Sequence, residues 1–419
     1  MTASRSIESV TCLGCGCGCD DLTVRIENDR IVDVSPVCLV ARAWFGDGAV
    51  PGAVTRNGTP VSLSQAMTDA AATLGESAGR VLVYIGPDLS SQAQRVALAI
   101  ADVLRAGVDT PTSRPAAAGL LAAQRRGRAG ATLAEIRNRA EMVLFWAVDP
   151  RDRYPRFIPR FVDAKGTHIP AGRKGRRVIS VSVGGDRGPA GADLEVALTA
   201  EEEIPALSVM RAMVLGNTLG ELPANLQAAA KAASLLKEAK YVVIVNEAEP
   251  AESSNPLRAE GLIALTQALN GPTRAALSSL RAGGNRSGAE SALTWQTGYP
   301  MAVDFSQGFP RYTPGSRALD APGDVATVLV AGSSDELPAD ARAAFGKVPT
   351  IVIGPRASEA PFSTRIAIDT GIAGIHEAGT GYRMDEIPLP LRPPLSGPRS
   401  AAETLRTLLA ALPTQAGKP

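Results

Sequence analysis

The sequence predicts an α/β protein with a small β-rich domain followed by two doubly wound parallel-sheet domains. Short apolar, β-branched runs such as Val81–Ile85 alternate with stretches of helical pattern along most of the chain. This alternation is typical of parallel strands that are buried on both faces. All five cysteines precede residue 39. The chain has 419 residues, which is more than a single hydrophobic core usually organises. We therefore predict a cysteine-loop domain over residues 1–55 and α/β domains over 56–235 and 236–419.

The N-terminal cysteines have the spacing of a metal site. Cys12, Cys15 and Cys19 read C-x2-C-x3-C, and Cys38 follows later in the chain. Three thiols in a short loop with a distant fourth are typical of a [4Fe-4S] cluster, which we predict as a structural group. Thiols kept without a metal are a second interpretation. Zinc is a third and less favoured one, because it prefers two paired C-x2-C units and only one is present.

The remaining elements follow from hydrophobic periodicity. Residues 22–34 alternate apolar and polar side chains around Asn28-Asp29, which predicts a β-hairpin that folds Cys38 back toward the first three thiols. Residues 54–62 predict a second small β unit, and residues 385–398 are Pro-rich and extended. Helices are predicted over 64–74, 90–104 and 401–412, and buried strands over 81–85, 142–146, 177–182, 241–245, 327–330 and 350–353.

Composition narrows the functional class. The chain has 43 Lys and Arg residues and 42 Asp and Glu residues, so its net charge is +1. This balance does not favour binding to nucleic acids or to a membrane surface. Neither a signal-peptide core at the N-terminus nor an apolar stretch of transmembrane length is present, so we expect a cytoplasmic protein. Clustered cysteines in that compartment indicate metal binding rather than disulfides.

An ordered set of segments resembles the B subunit of the formylmethanofuran dehydrogenases, which belong to the molybdopterin oxidoreductases. The segments cover residues 11–21, 38–45, 135–146, 294–300, 303–306, 310–312 and 377–384. The resemblance implies the molybdopterin-oxidoreductase arrangement of a cluster loop followed by tandem α/β domains. In archaeal members it implies tungsten or molybdenum held by two pyranopterin guanine dinucleotides. A cysteine or selenocysteine binds that metal, and a neighbouring histidine assists in reducing carbon dioxide.

The chain departs from the family at those catalytic positions. The metal-binding thiol falls on Pro115 and the histidine on Ala116, and neither side chain has a donor atom or a transferable proton. The family's Trp-Gly-Cys-Asn-Pro segment is here 146–150, Trp-Ala-Val-Asp-Pro, and a guanine-binding Asp-Pro-Arg-Lys-Thr segment is here 181–185, Val-Ser-Val-Gly-Gly. We therefore predict no catalytic residues and no bound molybdopterin or tungstopterin.

This pattern is similar to the B subunit of the bacterial formyltransferase/hydrolase complex of methylotrophs. The resemblance implies a non-catalytic subunit whose partners are a formyltransferase subunit, an amidohydrolase-type subunit and the C subunit. That complex moves a formyl group from formyl-tetrahydromethanopterin to a methanofuran-like carrier and then releases formate. Two alternatives stay open: an active molybdenum or tungsten enzyme with Ser113 as the metal ligand, and an electron-transfer module with one cluster.

The remaining polar candidates favour structural roles. His168 and His376 are the only histidines, and nothing in the sequence supplies a second acid–base partner for either. Arg286, Arg311 and Arg383 lie in the family-like segments. We expect them either to keep contacts with a polyanionic group or to hold the fold.

Overall fold

The computed structural model describes residues 4–314 and 324–413 of the chain. Residues 1–3, 315–323 and 414–419, which belong to the predicted ranges 1–55 and 236–419, lie outside the described residues. Within the described ranges the strands are β1 (Ser4–Cys12), β2 (Cys19–Glu27), β3 (Arg30–Ser35), β4 (Val54–Arg56), β5 (Thr59–Pro60), β6 (Val81–Ile85), β7 (Gly107–Asp109), β8 (Met142–Trp146), β9 (Arg177–Val183), β10 (Leu194–Leu198), β11 (Tyr241–Glu247), β12 (Arg274–Leu280), β13 (Val303–Asp304), β14 (Arg311–Tyr312), β15 (Thr327–Ala331), β16 (Thr350–Gly354), β17 (Ile366–Asp369), β18 (Gly379–Tyr382) and β19 (Pro388–Leu391). The α-helices are α1 (Leu39–Phe45), α2 (Leu63–Glu76), α3 (Ser91–Val103), α4 (Ala117–Arg126), α5 (Leu133–Arg139), α6 (Glu203–Val214), α7 (Ala224–Glu238), α8 (Arg258–Leu269), α9 (Arg286–Thr297), α10 (Ala339–Phe345) and α11 (Ala401–Ala411).

The predicted hairpin is part of a three-stranded antiparallel sheet. Strands β2 and β3 pair around Asn28 and Asp29, whose φ values of 50° and 56° put both residues in the left-handed region. Asn-Asp tolerates this conformation, which a two-residue turn of type I′ requires. Strand β1 completes the sheet by pairing with β2, and its mostly exposed residues gave no sequence signal.

A five-stranded sheet forms the centre of residues 115–282. Its order is β10-β9-β8-β11-β12, and all of its neighbouring strands run parallel. The order reverses between β8 and β11, because β8 leads to β9 on one side and β11 leads to β12 on the other. Clefts at such reversal points are where open α/β sheets commonly bind ligands, beyond the carboxyl ends of the strands.

A nine-stranded sheet forms the centre of the other part of the chain, in the order β14-β13-β7-β6-β15-β16-β17-β4-β5. Its middle strands from β7 to β17 run parallel. The strands at both edges run antiparallel. The sheet is thus mixed rather than wholly parallel, because short hairpins extend it where no crossover helix is available.

The chain divides into two compact units, residues 1–114 with 283–419, and residues 115–282. These units do not coincide with the predicted ranges 1–55, 56–235 and 236–419. The reason is that β6 and β7 from the N-terminal half share a sheet with β15, β16 and β17 from the C-terminal half. The region 115–282 is therefore an insertion into one discontinuous unit, which periodicity along the chain does not reveal.

Local signals account for most element boundaries. Strands β6 and β8 consist of five buried residues each and coincide with the predicted runs. Helix α2 begins after Ser62, whose hydroxyl accepts from the Gln65 backbone while the Gln65 side chain bonds back, which forms a capping box. Thr132 and Glu135 start α5 in the same way.

Every helix within the described ranges is too short or too polar to span a membrane.

Candidate functional site

The cysteine loop connects two neighbouring strands. Strand β1 ends at Cys12 and β2 begins at Cys19, and these two residues are Cα partners in the antiparallel pairing. Residues 13–18 therefore form a compact loop at the end of the sheet. Cys12, Cys15 and Cys19 are buried.

The loop is fixed by the C-terminal part of the same unit. Gly284 N donates to Leu13 O at 2.6 Å, and Met384 N donates to Gly16 O at 2.9 Å. A Cβ atom on Gly283 would lie 2.2 Å from Gly14 O, so only glycine allows this approach of the two backbones. The loop geometry therefore depends on residues that are distant in the sequence.

Cys38 lies where the hairpin prediction placed it, at the start of α1 next to the sheet. Its Sγ accepts from Ala41 N at 3.4 Å and caps the helix. Burial raises the pKa of Cys12 well above its usual range, and the neighbouring sulfurs of Cys15, Cys19 and Cys38 raise it further. A Cβ atom on Gly14 would lie 3.2 Å from Val40 Cγ1, so the helix that begins after Cys38 lies against the cysteine loop.

The described residues contain no group of three or more Cys, His, Asp or Glu side chains arranged to hold a metal ion. The sulfurs are thus neighbours without a preformed ligand geometry in this structure. A cubane bound by Cys12, Cys15, Cys19 and Cys38 stays a prediction, and iron analysis tests it.

The segment where the resemblance places a catalytic motif is polar before it reaches Pro115. Asp109 ends β7, and its Oδ1 accepts from Thr110 N at 2.8 Å. Ser113 Oγ lies 3.1 Å from Thr110 Oγ1 and accepts from Thr110 N at 3.3 Å. The Ser113 hydroxyl is therefore engaged in a local turn.

The two positions that follow offer no reactive atom. Ala116 is buried at the N-terminal boundary of α4, with no side-chain capping bond. Pro115 is half-buried. These side chains offer only carbon atoms at the two positions where the resemblance places a thiol and an imidazole.

The residue directly after β8, Ala147, has a backbone conformation that usually favours glycine. Ala147 has φ +53°, a left-handed conformation that alanine adopts only with strain. Its N–H donates to Val181 O at 2.8 Å, which joins it to β9. The Ala147 backbone thus has the shape that a glycine would favour at the position where the resemblance places one.

The polar groups around that segment are engaged within the unit. Arg151 donates to Ala190 O at 2.6 Å. Ser182 Oγ accepts from Gly188 N at 3.1 Å, and Val181 is buried in the core. The segment 181–185, where the resemblance places a guanine-binding motif, contains no charged side chain.

A buried charge network, which the sequence did not indicate, lies at the carboxyl ends of the strands in residues 115–282. Glu203 Oε1 accepts from Trp146 Nε1 at 2.8 Å and from Arg258 Nε at 2.5 Å. Arg258 also donates to Asp186 Oδ2 at 3.0 Å, and Ser254 Oγ donates to the same oxygen at 3.3 Å. Both carboxylates are therefore bonded to groups of the chain itself.

A second buried acid lies at the end of β11. Glu247 accepts from Tyr154 Oη at 3.1 and 3.2 Å and from Arg153 NH1 at 2.8 Å. Burial raises the pKa of Glu247 to about 7 despite the opposing effect of Arg153. The end of β11 and the segment after β8 are thus bonded to each other at the point where the strand order reverses.

In the other unit, Asp88 follows β6 at the corresponding reversal in strand order. Its carboxylate accepts from Ser333 N at 2.9 Å, and burial raises its pKa to about 7. This group also gave no sequence signal, because its partner is 245 residues away.

The two histidines have different surroundings. His376 Nε2 lies 2.8 Å from Gly48 O, and Nδ1 accepts from Ile372 N at 3.2 Å. Burial lowers the pKa of His376, so a neutral imidazole bridges two backbone segments. His168 is exposed.

The three arginines of the family-like segments also differ. Arg383 binds Asp385 through two bonds of 2.6 and 2.7 Å. Arg286 pairs with Glu336 and donates to Gly283 O at 3.0 Å, whereas Arg311 is exposed. Arg286 and Arg383 thus hold the fold, which was one of the two expected roles.

The chain is similar in sequence to two archaeal proteins over nearly its whole length. It is 28% identical to the B subunit of tungsten-containing formylmethanofuran dehydrogenase 2 of Methanococcus maripaludis, over 96% of this chain and 98% of that protein. It is 29% identical to the protein of the same name from Methanocaldococcus jannaschii, over 94% and 95% of the two chains. The chain matches no protein-family model.

A solved structure gives the same relationship. The chain resembles a chain of the formyltransferase/hydrolase complex from Methylorubrum extorquens, determined in complex with methylofuran. The TM-score is 0.72 with 26% sequence identity, over 85% of this chain and 98% of that one.

Fold and sequence together define a mixed α/β protein with parallel sheets that is similar to a chain of a formyltransferase/hydrolase complex. The chain is a homologue of the B subunit of formylmethanofuran dehydrogenase, as its sequence segments predict. Its structural neighbour belongs to a complex of several subunits.

Proposed function

We propose that this chain is a non-catalytic structural subunit of a cytoplasmic formyltransferase/hydrolase complex. In that complex a formyltransferase subunit would pass the formyl group of formyl-tetrahydromethanopterin to a methanofuran-like carrier. An amidohydrolase-type subunit would then hydrolyse the formyl carrier to formate, and the C subunit would complete the assembly. This chain would supply a rigid surface on which those subunits assemble.

One observation supports the proposal above the others. Pro115 and Ala116 stand where the resemblance places the metal-binding thiol and the assisting histidine, and neither side chain can bind a metal or move a proton. The 98% coverage of a chain from a formyltransferase/hydrolase complex supports the same conclusion. The buried pair of Glu203 with Arg258 adds to it, because these charged groups at the strand ends are already bonded to other groups of this chain.

A tungsten or molybdenum enzyme is the second candidate, because both archaeal relatives are named as tungsten-containing. It would need Ser113 as the metal ligand. The Ser113 hydroxyl would first have to leave its bonds to Thr110.

Substitution of Ser113 separates the two candidates. The subunits are co-expressed, the complex is purified, and formyl transfer, hydrolysis and viologen-dependent carbon dioxide reduction are assayed for the wild type, Ser113→Ala and Ala116→Ser. The proposal expects both variants to assemble and to keep wild-type rates, whereas omission of this chain prevents assembly. Carbon dioxide reduction by the wild-type complex that is lost in Ser113→Ala, with assembly and thermal stability unchanged, would contradict it.

A further inference from the structure

Two of the five cysteines lie opposite each other in the antiparallel sheet that carries the cysteine loop. Cys12 is the last residue of β1, Cys19 is the first residue of β2, and the two are Cα partners. Directly opposite residues of an antiparallel pair have Cα atoms about 4.5–5.5 Å apart and side chains on the same face. Since a disulfide needs Cα atoms about 4.4–6.8 Å apart, the backbone has the spacing of a cross-strand disulfide.

No other two cysteines within the described residues are paired in a sheet. Cys15 and Cys17 lie in the loop between β1 and β2, outside both strands. Cys38 is the N-cap of α1, where its Sγ accepts from Ala41 N. The strand register therefore selects Cys12 and Cys19 among the five.

Contacts with the C-terminal part of the unit hold this register. The loop is fixed by the bonds from Gly284 N to Leu13 O and from Met384 N to Gly16 O. Next to Cys12, the Thr11 hydroxyl donates to Pro390 O at 2.9 Å. Two reacting groups that are held in place react with each other far more readily than with groups in solution.

Burial limits which oxidant can reach the two thiols. Cys12 is 5% exposed and Cys19 is 6% exposed, so a small neutral molecule is favoured over a bulky disulfide such as oxidised glutathione. Hydrogen peroxide is such a molecule, and it oxidises thiols stepwise.

We propose that Cys12 and Cys19 form a reversible disulfide when the iron-free chain meets hydrogen peroxide. Peroxide first oxidises one thiol to a sulfenic acid and leaves as water. The second thiol then displaces the hydroxyl group of the sulfenic acid, so that the S–S bond forms and a second water is released. The protein loses two hydrogen atoms and two electrons, and the peroxide accepts both.

This disulfide and an iron–sulfur cluster exclude each other, because the disulfide uses two of the four predicted ligands. Disulfides in a reducing cytoplasm are usually transient and redox-sensing rather than structural. Cys12 and Cys19 would thus make the cysteine loop responsive to oxidant. The proposed function does not depend on this step, since it rests on Pro115 and Ala116.

The test uses the full chain, purified with a reductant and freed of iron with a chelator. The chain is exposed to hydrogen peroxide, unfolded in iodoacetamide and digested with trypsin. Trypsin cuts after Arg5 and Arg25, so the peptide 6–25 contains the first four cysteines, and Cys38 lies in the peptide 31–42. Mass spectrometry measures both peptides before and after dithiothreitol.

Two double variants with equal numbers of thiols are compared. Cys15→Ser/Cys17→Ser keeps Cys12 and Cys19 in the peptide 6–25, whereas the matched control Cys17→Ser/Cys19→Ser keeps Cys12 and Cys15, which are closer in sequence but not in strand register. Thermal melting of the reduced variants checks that both fold like the wild type.

In Cys15→Ser/Cys17→Ser, most copies of the peptide 6–25 should lose two hydrogen atoms and resist alkylation until dithiothreitol is added. The control should form at least about fivefold less of its disulfide, because its thiols lack the paired geometry. Equal amounts in the two variants, no disulfide in the first, or a bond to the peptide 31–42 would overturn the inference.

The wild type provides a measurement that does not depend on the folding of a variant. Additional cleavage by chymotrypsin after Leu13 separates Cys12 from the next three cysteines. The disulfide then joins two fragments, and their fragment-ion masses should identify Cys19 as the partner of Cys12. A bond from Cys12 to Cys15 or Cys17, or two unjoined fragments, would contradict the proposal.

Discussion

Arg258 Nε lies 2.5 Å from Glu203 Oε1, and both side chains are almost completely buried, at 8% and 1% exposure. The same carboxylate accepts from the indole of Trp146. A buried charge that loses its partner retains its desolvation penalty without compensation. Loss of either charged partner should therefore destabilise the folded protein, because the remaining charge stays buried next to Trp146.

Removal of Arg258 tests this dependence. Arg258→Met should lower the free energy of unfolding by about 3–5 kcal/mol, because it leaves Glu203 charged and buried. Arg125→Met is the control: Arg125 pairs with Glu260 but is 64% exposed, and we expect a loss of at most about 1 kcal/mol. Urea denaturation measures both. Equal losses for the two variants would show that burial of the Arg258 pair does not matter.

Replacement of Ala147 with glycine should stabilise the protein. At φ +53° the alanine Cβ is strained and glycine is not, so Ala147→Gly should raise the free energy of unfolding by about 1 kcal/mol. Ala228→Gly, inside α7, should lower it by a similar amount, about 0.5–1 kcal/mol. Thermal melting compares the two variants. If both are destabilised, the inference that the Ala147 backbone is strained is wrong.

The pH dependence of stability follows from Asp88. Burial raises its pKa to about 7 in the folded protein from a usual value near 4. The folded state therefore binds more protons than the unfolded state between those values, and stability falls as pH rises from about 4 to 7. Asp88→Asn should make this fall shallower and raise stability at pH 8 relative to the wild type. Glu247 contributes in the same direction, so part of the fall should persist.

The carboxyl of Asp47 should affect the pH dependence of stability in the direction opposite to that of Asp88. A bond from the Ala49 backbone lowers the pKa of its exposed carboxyl. Its contribution is present above the usual pKa and is lost as pH falls. Asp47→Asn should therefore leave the slope above pH 5 unchanged. Urea titrations at pH 5, 6, 7 and 8 check both variants, and an unaltered slope in Asp88→Asn would contradict the assignment.

The cysteines should differ in reactivity in iron-free protein. Cys12 is buried with its pKa raised, whereas Cys38 is partly exposed at the start of α1. Because the thiolate is the reactive form, Cys38 should be alkylated by iodoacetamide at pH 8 well before Cys12. Peptide mass spectrometry over a time course measures the order. Faster labelling of Cys12 would mean that the loop opens in solution.

The sequence predicted best what local pattern determines. Strands β6 and β8 are short apolar runs, and the Asn28-Asp29 turn has the residues that its left-handed backbone favours. In contrast, β12 reads Arg-Ala-Ala-Leu-Ser-Ser-Leu and lacks the β-branched residues that mark a strand. It is held in its sheet by pairing with β11, a tertiary effect.

The candidate site likewise contains one feature that the local sequence predicted and others that it could not predict. The placement of Cys38 beside the loop followed from the hairpin. The pairing of Glu203 with Arg258 could not be predicted, because the two residues are 55 positions apart and belong to separate helices. The insertion of residues 115–282 was also beyond reach, because strand order within a sheet leaves no periodic trace in the chain.

The metal content of the purified complex decides between a structural subunit and a catalytic metal-binding one. Molybdenum, tungsten and iron are measured per chain by mass spectrometry, and carbon dioxide reduction is assayed with a reduced viologen dye. We expect no stoichiometric molybdenum or tungsten and no carbon dioxide reduction, in a complex that still transfers and hydrolyses formyl groups. One tungsten or molybdenum per chain, together with viologen-dependent formate production, would contradict it.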